Sequence, residues 1–160
     1  MDGSEQTQDV LARRVAALFA ADTFSAALDI RLEAIRPGQS VVSMEVTPAK
    51  MNCHGSAHGG AVWTLADMAF GSAGYYDGPI LTTESNLSFL RPTPGGCRLY
   101  ARATQVTRRG KSGVFHIVMG ADLDDKAARF AIGQFAGRWA GVPPRDPAPL
   151  PAQSADRNGA

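Results

Sequence analysis

Cysteine is scarce in this chain: Cys53 and Cys97 are the only 2 among 160 residues. They lie far apart and match neither a zinc-ligand nor a redox spacing, so they read as free thiols of a reducing compartment. A surplus of charge is missing as well. The 16 Lys and Arg nearly balance the 15 Asp and Glu, for a formal net charge of +1, and no global field favours nucleic acid or a membrane surface as a partner. No apolar run is long enough to cross a bilayer. The opening MDGSEQTQD is acidic and polar, unlike a signal or transit peptide. Together these absences give the expectation of a cytoplasmic protein. The G-x-S-x-G elbow of serine hydrolases, the Walker loop and the dinucleotide fingerprint are also lacking. With 44% hydrophobic and 19% charged residues, the composition is that of an ordinary globular domain with a substantial core.

What is present centres on Asn52 to Tyr76, NCHGSAHGGAVWTLADMAFGSAGYY. A polar loop with Gly and His runs into a small-residue apolar helix that carries one carboxylate, Asp67. Gly59 and Gly60 fall at its start, where backbone N–H groups lack intrahelical partners and the helix dipole is positive. Such an end suits an oxyanion or a carbonyl oxygen. A helix hydrophobic almost all round is normally wrapped by other structure, so an ionisable group within it calls for an explanation.

The rest of the chain divides around that stretch. Asp9 is placed to cap a helix over Val10–Ala21, with Leu11, Val15, Leu18 and Phe19 as its apolar stripe. Thr23 to Leu28 reads as a link. Ile30–Ile35 and Ser40–Thr47 alternate as two strands of a hairpin, joined by the turn Arg36-Pro37-Gly38-Gln39. After the break Asp77-Gly78-Pro79, three β segments follow over Ile80–Leu90, Arg98–Arg108 and Gly113–Asp122. Ala127–Trp139 suits a helix by its alanines and a strand by Phe130, Ile132, Phe135 and Trp139, and the three preceding strands favour a strand. Residues 1–24 are a helix and lead-in, 25–141 the domain proper, and 142–160 a Pro/Ala-rich tail read as disordered. The expected fold is α+β, one antiparallel sheet curled around one long central helix.

Asp67 lies seven residues beyond Gly60, on one helix face with Trp63, Gly71 and Gly74. At about 1.5 Å per residue the two stand roughly 10 Å apart, too far to meet at one ester carbonyl within one chain. Two antiparallel helices around a two-fold axis would bring the Gly end of each to the Asp of the other. The geometry therefore asks for a dimer. Plainer readings stand beside it. A buried Asp is often structural, and a Gly pair often only begins a helix. His54 and His58, with Cys53 beside them, lack a fourth ligand for a metal. His116 alternates within a strand and reads as structural. The loop Arg108-Arg109-Gly110-Lys111-Ser112 is either a solvated hairpin tip or a cradle for a phosphorylated ligand, which Arg91 would join.

The order N-x5-H-G-G-x4-L-A-D-x-A-F from Asn52 to Phe70, then F-L-R-P ending at Pro92, then R-x-G-K ending at Lys111, resembles the hotdog-fold acyl-CoA thioesterases. Within them it is most similar to the PaaI-like group of phenylacetate degradation. The likeness runs from about Ser25 to Arg138. It implies the hotdog fold, with dimers joined into one continuous sheet and usually paired as tetramers. It also implies roles: the Gly59 N–H polarises the thioester carbonyl, and Asp67 of the partner subunit acts as general base or nucleophile. Asn52 and His58 orient the thioester, the loop or the water. Thr82, or failing that Thr83, holds the attacking water. Gly60, Trp63, Arg91, Arg108, Arg109, Gly110 and Lys111 contact the substrate, the basic loop meeting the phosphates of coenzyme A. No metal or redox cofactor is implied.

The implied function is hydrolysis of a CoA thioester, with phenylacetyl or hydroxyphenylacetyl favoured by the resemblance and Trp63, Phe70, Tyr75 and Tyr76 as candidate pocket aromatics. Rival readings are a broad medium- or long-chain acyl-CoA thioesterase, a hotdog hydratase, and a non-catalytic CoA-thioester-binding protein in which Asp67 is structural. The partners expected are the acyl-CoA and further copies of the chain, as homodimer or homotetramer, with no nucleic acid and no membrane.

Overall fold

A helix of 16 residues, Gly59–Gly74, is packed against the sheet along Val62, Leu65, Ala66, Ala69, Phe70 and Ala73. Those positions recur every three or four residues, so their side chains share one face. They meet Val42, Met44, Leu99, Ala101, Phe115 and Phe135 in a single core. This computed structural model describes residues 3–143. Of the sequence read as a disordered tail, residues 144–160 lie outside the described residues.

In chain order the elements are α1 (Gly3–Ala21), α2 (Thr23–Ala27), β1 (Arg31–Arg36), β2 (Gln39–Glu45), the central α3 (Gly59–Gly74), β3 (Ile80–Phe89), β4 (Arg98–Arg109), β5 (Ser112–Gly120) and β6 (Arg129–Trp139). The six strands form one antiparallel sheet in the order β1-β2-β4-β5-β6-β3. Curved around α3, it is the expected hotdog arrangement.

Close approach of helix and sheet depends on small residues. A Cβ on Gly137 of β6 would stand 2.4 Å from the Phe70 ring and 2.9 Å from the Leu81 carbonyl. The Ser40 hydroxyl donates to the Ala69 carbonyl at 2.6 Å, and the Trp139 indole N–H to the Gly74 carbonyl at 2.8 Å. The second bond satisfies a carbonyl at the helix end that has no intrahelical donor. It also fixes direction: Gly74 lies by Ile80 and Trp139, whereas Gly59 lies by Phe89 at the other end of β3.

The start of the chain departs from expectation. α1 begins at Gly3, so Asp9 is inside it and pairs with Arg13 at 3.1 Å instead of capping. The supposed link Thr23–Leu28 is largely helical, and α2 crosses the boundary drawn at residue 24. Asp22 caps it, accepting from the N–H groups of Phe24 and Ser25 and from the Ser25 hydroxyl. A register shift between Leu32 and Ala34 breaks the alternation of β1. Ala34 is thereby exposed, and Ile35 is buried with Leu11, Val15 and Tyr75 in a smaller cluster involving α1.

β1 and β3 are the sheet edges. Along β3 only Leu87 is buried, while Leu81 and Phe89 are 62% and 52% exposed. Such an edge offers unpaired backbone groups to another strand. Among the described residues no helix is long and apolar enough to cross a membrane.

Candidate active site

The loop before α3 is built by one side chain. Asn52 Oδ1 accepts from the N–H groups of His54 (2.9 Å) and Ser56 (3.2 Å), and its Nδ2 donates to Ser56 Oγ (3.0 Å) and the Ala57 carbonyl (3.3 Å). Asn52 thus spends its hydrogen bonds on holding the loop. His58 follows as the N-cap of α3: its Nδ1 accepts from the Gly60 N–H at 3.0 Å. An accepting Nδ1 places the proton of the neutral ring on Nε2.

This cap separates the two glycines. The Gly60 N–H is taken, whereas the Gly59 N–H has no acceptor among the described residues. A Cβ on Gly60 would press to 3.1 Å from His58 Nδ1, while one on Gly59 would meet only the Phe89 ring, at 3.8 Å. Gly60 serves the cap; Gly59 presents the donor.

Two turns further on, Asp67 lies on the outer face of α3. The Thr82 hydroxyl donates to Asp67 Oδ1 at 2.9 Å, and Oδ2 has no partner among the described residues. A register shift between Thr82 and Glu84 falls at Thr83, and it is Thr82 that reaches the carboxylate. The carboxylate touches solvent in the single chain, yet nearby protein mass still desolvates it. This desolvation raises its pKa above the ordinary value, the Thr82 bond opposes the rise, and the negative charge of Asp22 adds to it. Along the helix, Gly59 and Asp67 stand about 12 Å apart.

The basic residues do not form the single cradle expected. Arg108 is occupied by the Asp77 carboxylate and the Tyr76 hydroxyl, with its guanidinium 4.3 Å from the centre of the Trp139 ring. Lys111 lies against Gly141, its ammonium 2.6 Å from where a Cβ would be. Arg109 closes β4 opposite Ser112, beside the positive-φ turn residue Gly110, and its guanidinium makes no hydrogen bond or ion pair among the described residues. Arg91 cannot join them within one chain. It stacks on Phe130 at 4.5 Å and donates to the Arg129 carbonyl, at the far end of β3 and β6. Nine strand residues, roughly 30 Å, intervene.

The aromatic pocket is also corrected. Phe70 and Tyr75 are buried in the two hydrophobic clusters, and Tyr76 lies at the Gly74 end. Of the four candidates only Trp63 lines a cavity near the start of α3. Its other neighbour is Phe135, with ring centres 5.9 Å apart.

Residues 54–125 match the family described as the Thioesterase superfamily. The acyl-coenzyme A thioesterase PaaI of Escherichia coli (strain K12) is 38% identical over 103 residues, covering 63% of this chain and 73% of that one. The chain belongs to the thioesterase superfamily. The structure of the E. coli PaaI protein, from the phenylacetic acid degradation operon, superposes on this chain with a TM-score of 0.78 at 26% identity, covering 86% of this chain and 98% of that one. A putative esterase of Deinococcus radiodurans is 41% identical over 68 residues, 42% of this chain and 47% of that relative, so the match spans about half of it.

Within this member of the superfamily, three residues near the site escaped the sequence reading: Asp22, Phe24 and Leu28. Asp22 raises the Asp67 pKa, and the other two line the cavity next to His58. A helix of five residues is too short to show a period. The available signal was the Asp22-Thr-Phe-Ser25 run, a cap residue followed by a hydroxyl three positions on.

Proposed function

We propose that this protein hydrolyses acyl-CoA thioesters, with aryl acyl groups of the phenylacetyl type as substrates, at two equivalent sites shared across a homodimer. One observation carries the reading: the Gly59 N–H is unclaimed and Asp67 is held by Thr82 two turns along the same helix, as the two halves of a shared site would be. Antiparallel pairing of β3 with its copy would set the Phe89 end of one subunit against the Ile80 end of the other. Gly59 and Arg91 of the partner subunit would then face Asp67, Thr82 and the basic loop. Family likeness extends this dimer to a homotetramer.

In that site the thioester carbonyl oxygen accepts from the Gly59 N–H at the positive helix end. Asp67 Oδ2 takes a proton from water as the water oxygen bonds to the carbonyl carbon. The oxyanion that forms is stabilised by the Gly59 N–H, a contribution of about 3 kcal/mol for one such donor. Collapse breaks the carbon–sulfur bond, the proton passes from Asp67 to the departing thiolate, and free acid and coenzyme A result. Thr82 positions the carboxylate, and Asn52 and His58 hold the loop and helix end. Arg109 and Lys111 remain for the nucleotide phosphates. The steps use no resident cofactor.

The aryl preference is supported by the similarity to PaaI and by Trp63 near the helix start. Free-thiol release from phenylacetyl-, hydroxyphenylacetyl-, benzoyl- and straight-chain CoA esters tests both parts, run with wild type and Asp67→Asn. Release that depends on Asp67 and is fastest with aryl esters is expected. Equal release by Asp67→Asn would remove the mechanism. Comparable rates at all chain lengths would make it a broad acyl-CoA thioesterase.

A further inference from the structure

A cavity of about 540 Å³ opens between α2 and the first turn of α3, with Phe24, Leu28, Lys50, His58, Ala61 and Trp63 in its wall. We propose that this cavity is the acyl subsite, in which Phe24 and Trp63 receive a flat aryl group, and that α2 is the element that sets acyl selectivity. The proposal rests on the thioesterase reading above and assigns the part of the site that reading leaves open.

Position is the first argument. Gly60 and His58 border the cavity, so it begins one residue from the Gly59 N–H that would hold the carbonyl. An acyl chain leaving that carbonyl has this cavity beside it. The volume falls in the range of about 300–1,000 Å³ usual for small-molecule sites.

The wall chemistry is the second. Phe24, Leu28, Ala61 and Trp63 are apolar, and no carboxylate is among the lining residues. The one ammonium, Lys50, is buried and already engaged, donating to the Glu45 carbonyl at 3.0 Å with Asp29 at 4.0 Å. The cavity therefore suits an uncharged apolar group. Two aromatic side chains favour a ring, because stacked or edge-to-face rings gain more than burial alone.

The third argument is the way α2 is held. Asp22 caps its start, Leu28 packs against the main core, and the Lys50–Asp29 pair ties down the residue that follows. Despite this anchoring, Phe24 is 66% exposed. A large ring fixed on an anchored turn, yet packed into no core, has its apolar face free for something that arrives. Trp63 is only half-buried, with Phe135 against it.

The test uses the full chain, wild type and the variants Phe24→Ala and Phe24→Leu, the second keeping apolar bulk without the ring. Hydrolysis of phenylacetyl-CoA and acetyl-CoA gives the selectivity ratio in kcat/KM. Calorimetry with the thioether analogue of phenylacetyl-CoA gives binding without turnover, and sedimentation checks that the oligomer is unchanged. The expected result is a selectivity ratio about tenfold lower in Phe24→Ala, an intermediate ratio in Phe24→Leu, and weaker analogue binding in step. If wild type hydrolyses the esters and the ratio stays put in both variants, the subsite is overturned while the thioesterase reading stands. If no ester is hydrolysed but the analogue binds in a Phe24-dependent way, the subsite stands and the hydrolase reading falls. Failure of wild type to bind the analogue overturns the subsite.

Discussion

The Thr82 hydroxyl donates to Asp67 Oδ1 at 2.9 Å, joining the edge strand β3 to the central helix. This bond leaves Oδ2 without a partner among the described residues and opposes the rise that desolvation imposes on the carboxyl pKa. In the proposed mechanism it both aims the base and helps to keep it ionised.

The acid limb of the pH–rate profile should report this bond. A general base works only when ionised, so kcat/KM should climb with pH through the Asp67 pKa. Thr82→Val removes the stabilising donor and should move that limb to higher pH. Asp22→Asn removes the like charge, keeps a competent helix cap, and should move the limb to lower pH. Thr83→Val should leave it in place. Profiles measured with a saturable CoA ester decide among these.

Gly59 can be disarmed without disturbing the helix. It is the first helical residue, and His58 before it is extended, with φ −64° and ψ 131°. Proline is accepted at that position after an extended residue, and it lacks the N–H. Gly59→Pro should therefore fold and form the wild-type oligomer while kcat falls about 100- to 1000-fold. Circular dichroism and sedimentation verify the first part, and thiol release the second.

A carboxylate whose pKa is raised by folding costs stability. Asp67 in the folded chain prefers its neutral form more than in the unfolded chain, so folding binds extra protons between the ordinary pKa, near 3.8, and the raised one. Stability falls as pH rises through that window, and the full penalty is present above it. Asp67→Asn should therefore raise Tm at neutral pH, with the gain vanishing below the ordinary carboxylate pKa. Calorimetric scans at several pH values follow the trend.

The basic loop should separate into two behaviours. Arg108 is held by Asp77, Tyr76 and Trp139, so Arg108→Ala should lower Tm. Arg109→Ala combined with Lys111→Ala should instead raise KM for CoA esters and spare short thioesters that lack the nucleotide. Equal losses on both substrate types would remove the phosphate contact.

Where the sequence was legible, local pattern and tertiary role agreed. The apolar helix α3 and the strands β3 to β5 are legible in the local pattern, whereas β6, helix-like in its alanines, was assigned from the three strands before it. Thr82 was found from likeness, but only the register shift beside Thr83 shows which threonine reaches the carboxylate. Residues set by long-range geometry were misread. Arg91 and Arg108 look equivalent in sequence, yet they occupy opposite ends of the sheet. Phe70 and Tyr75 look like pocket aromatics and are core. Phe24 escaped because α2 has 5 residues, held by a cap and tertiary contacts and showing no periodic pattern.

The shared site is the central claim, and subunit mixing tests it most directly. Asp67→Asn and Gly59→Pro are each nearly inactive on this account, but a heterodimer of the two contains one site with both groups intact. After exchange at equal concentrations, verified by native mass spectrometry, thiol release should return to about a quarter of the wild-type rate, since half the dimers then carry one whole site of two. A rate that stays at the sum of the separate variants, with heterodimers present, would contradict a site built from two subunits.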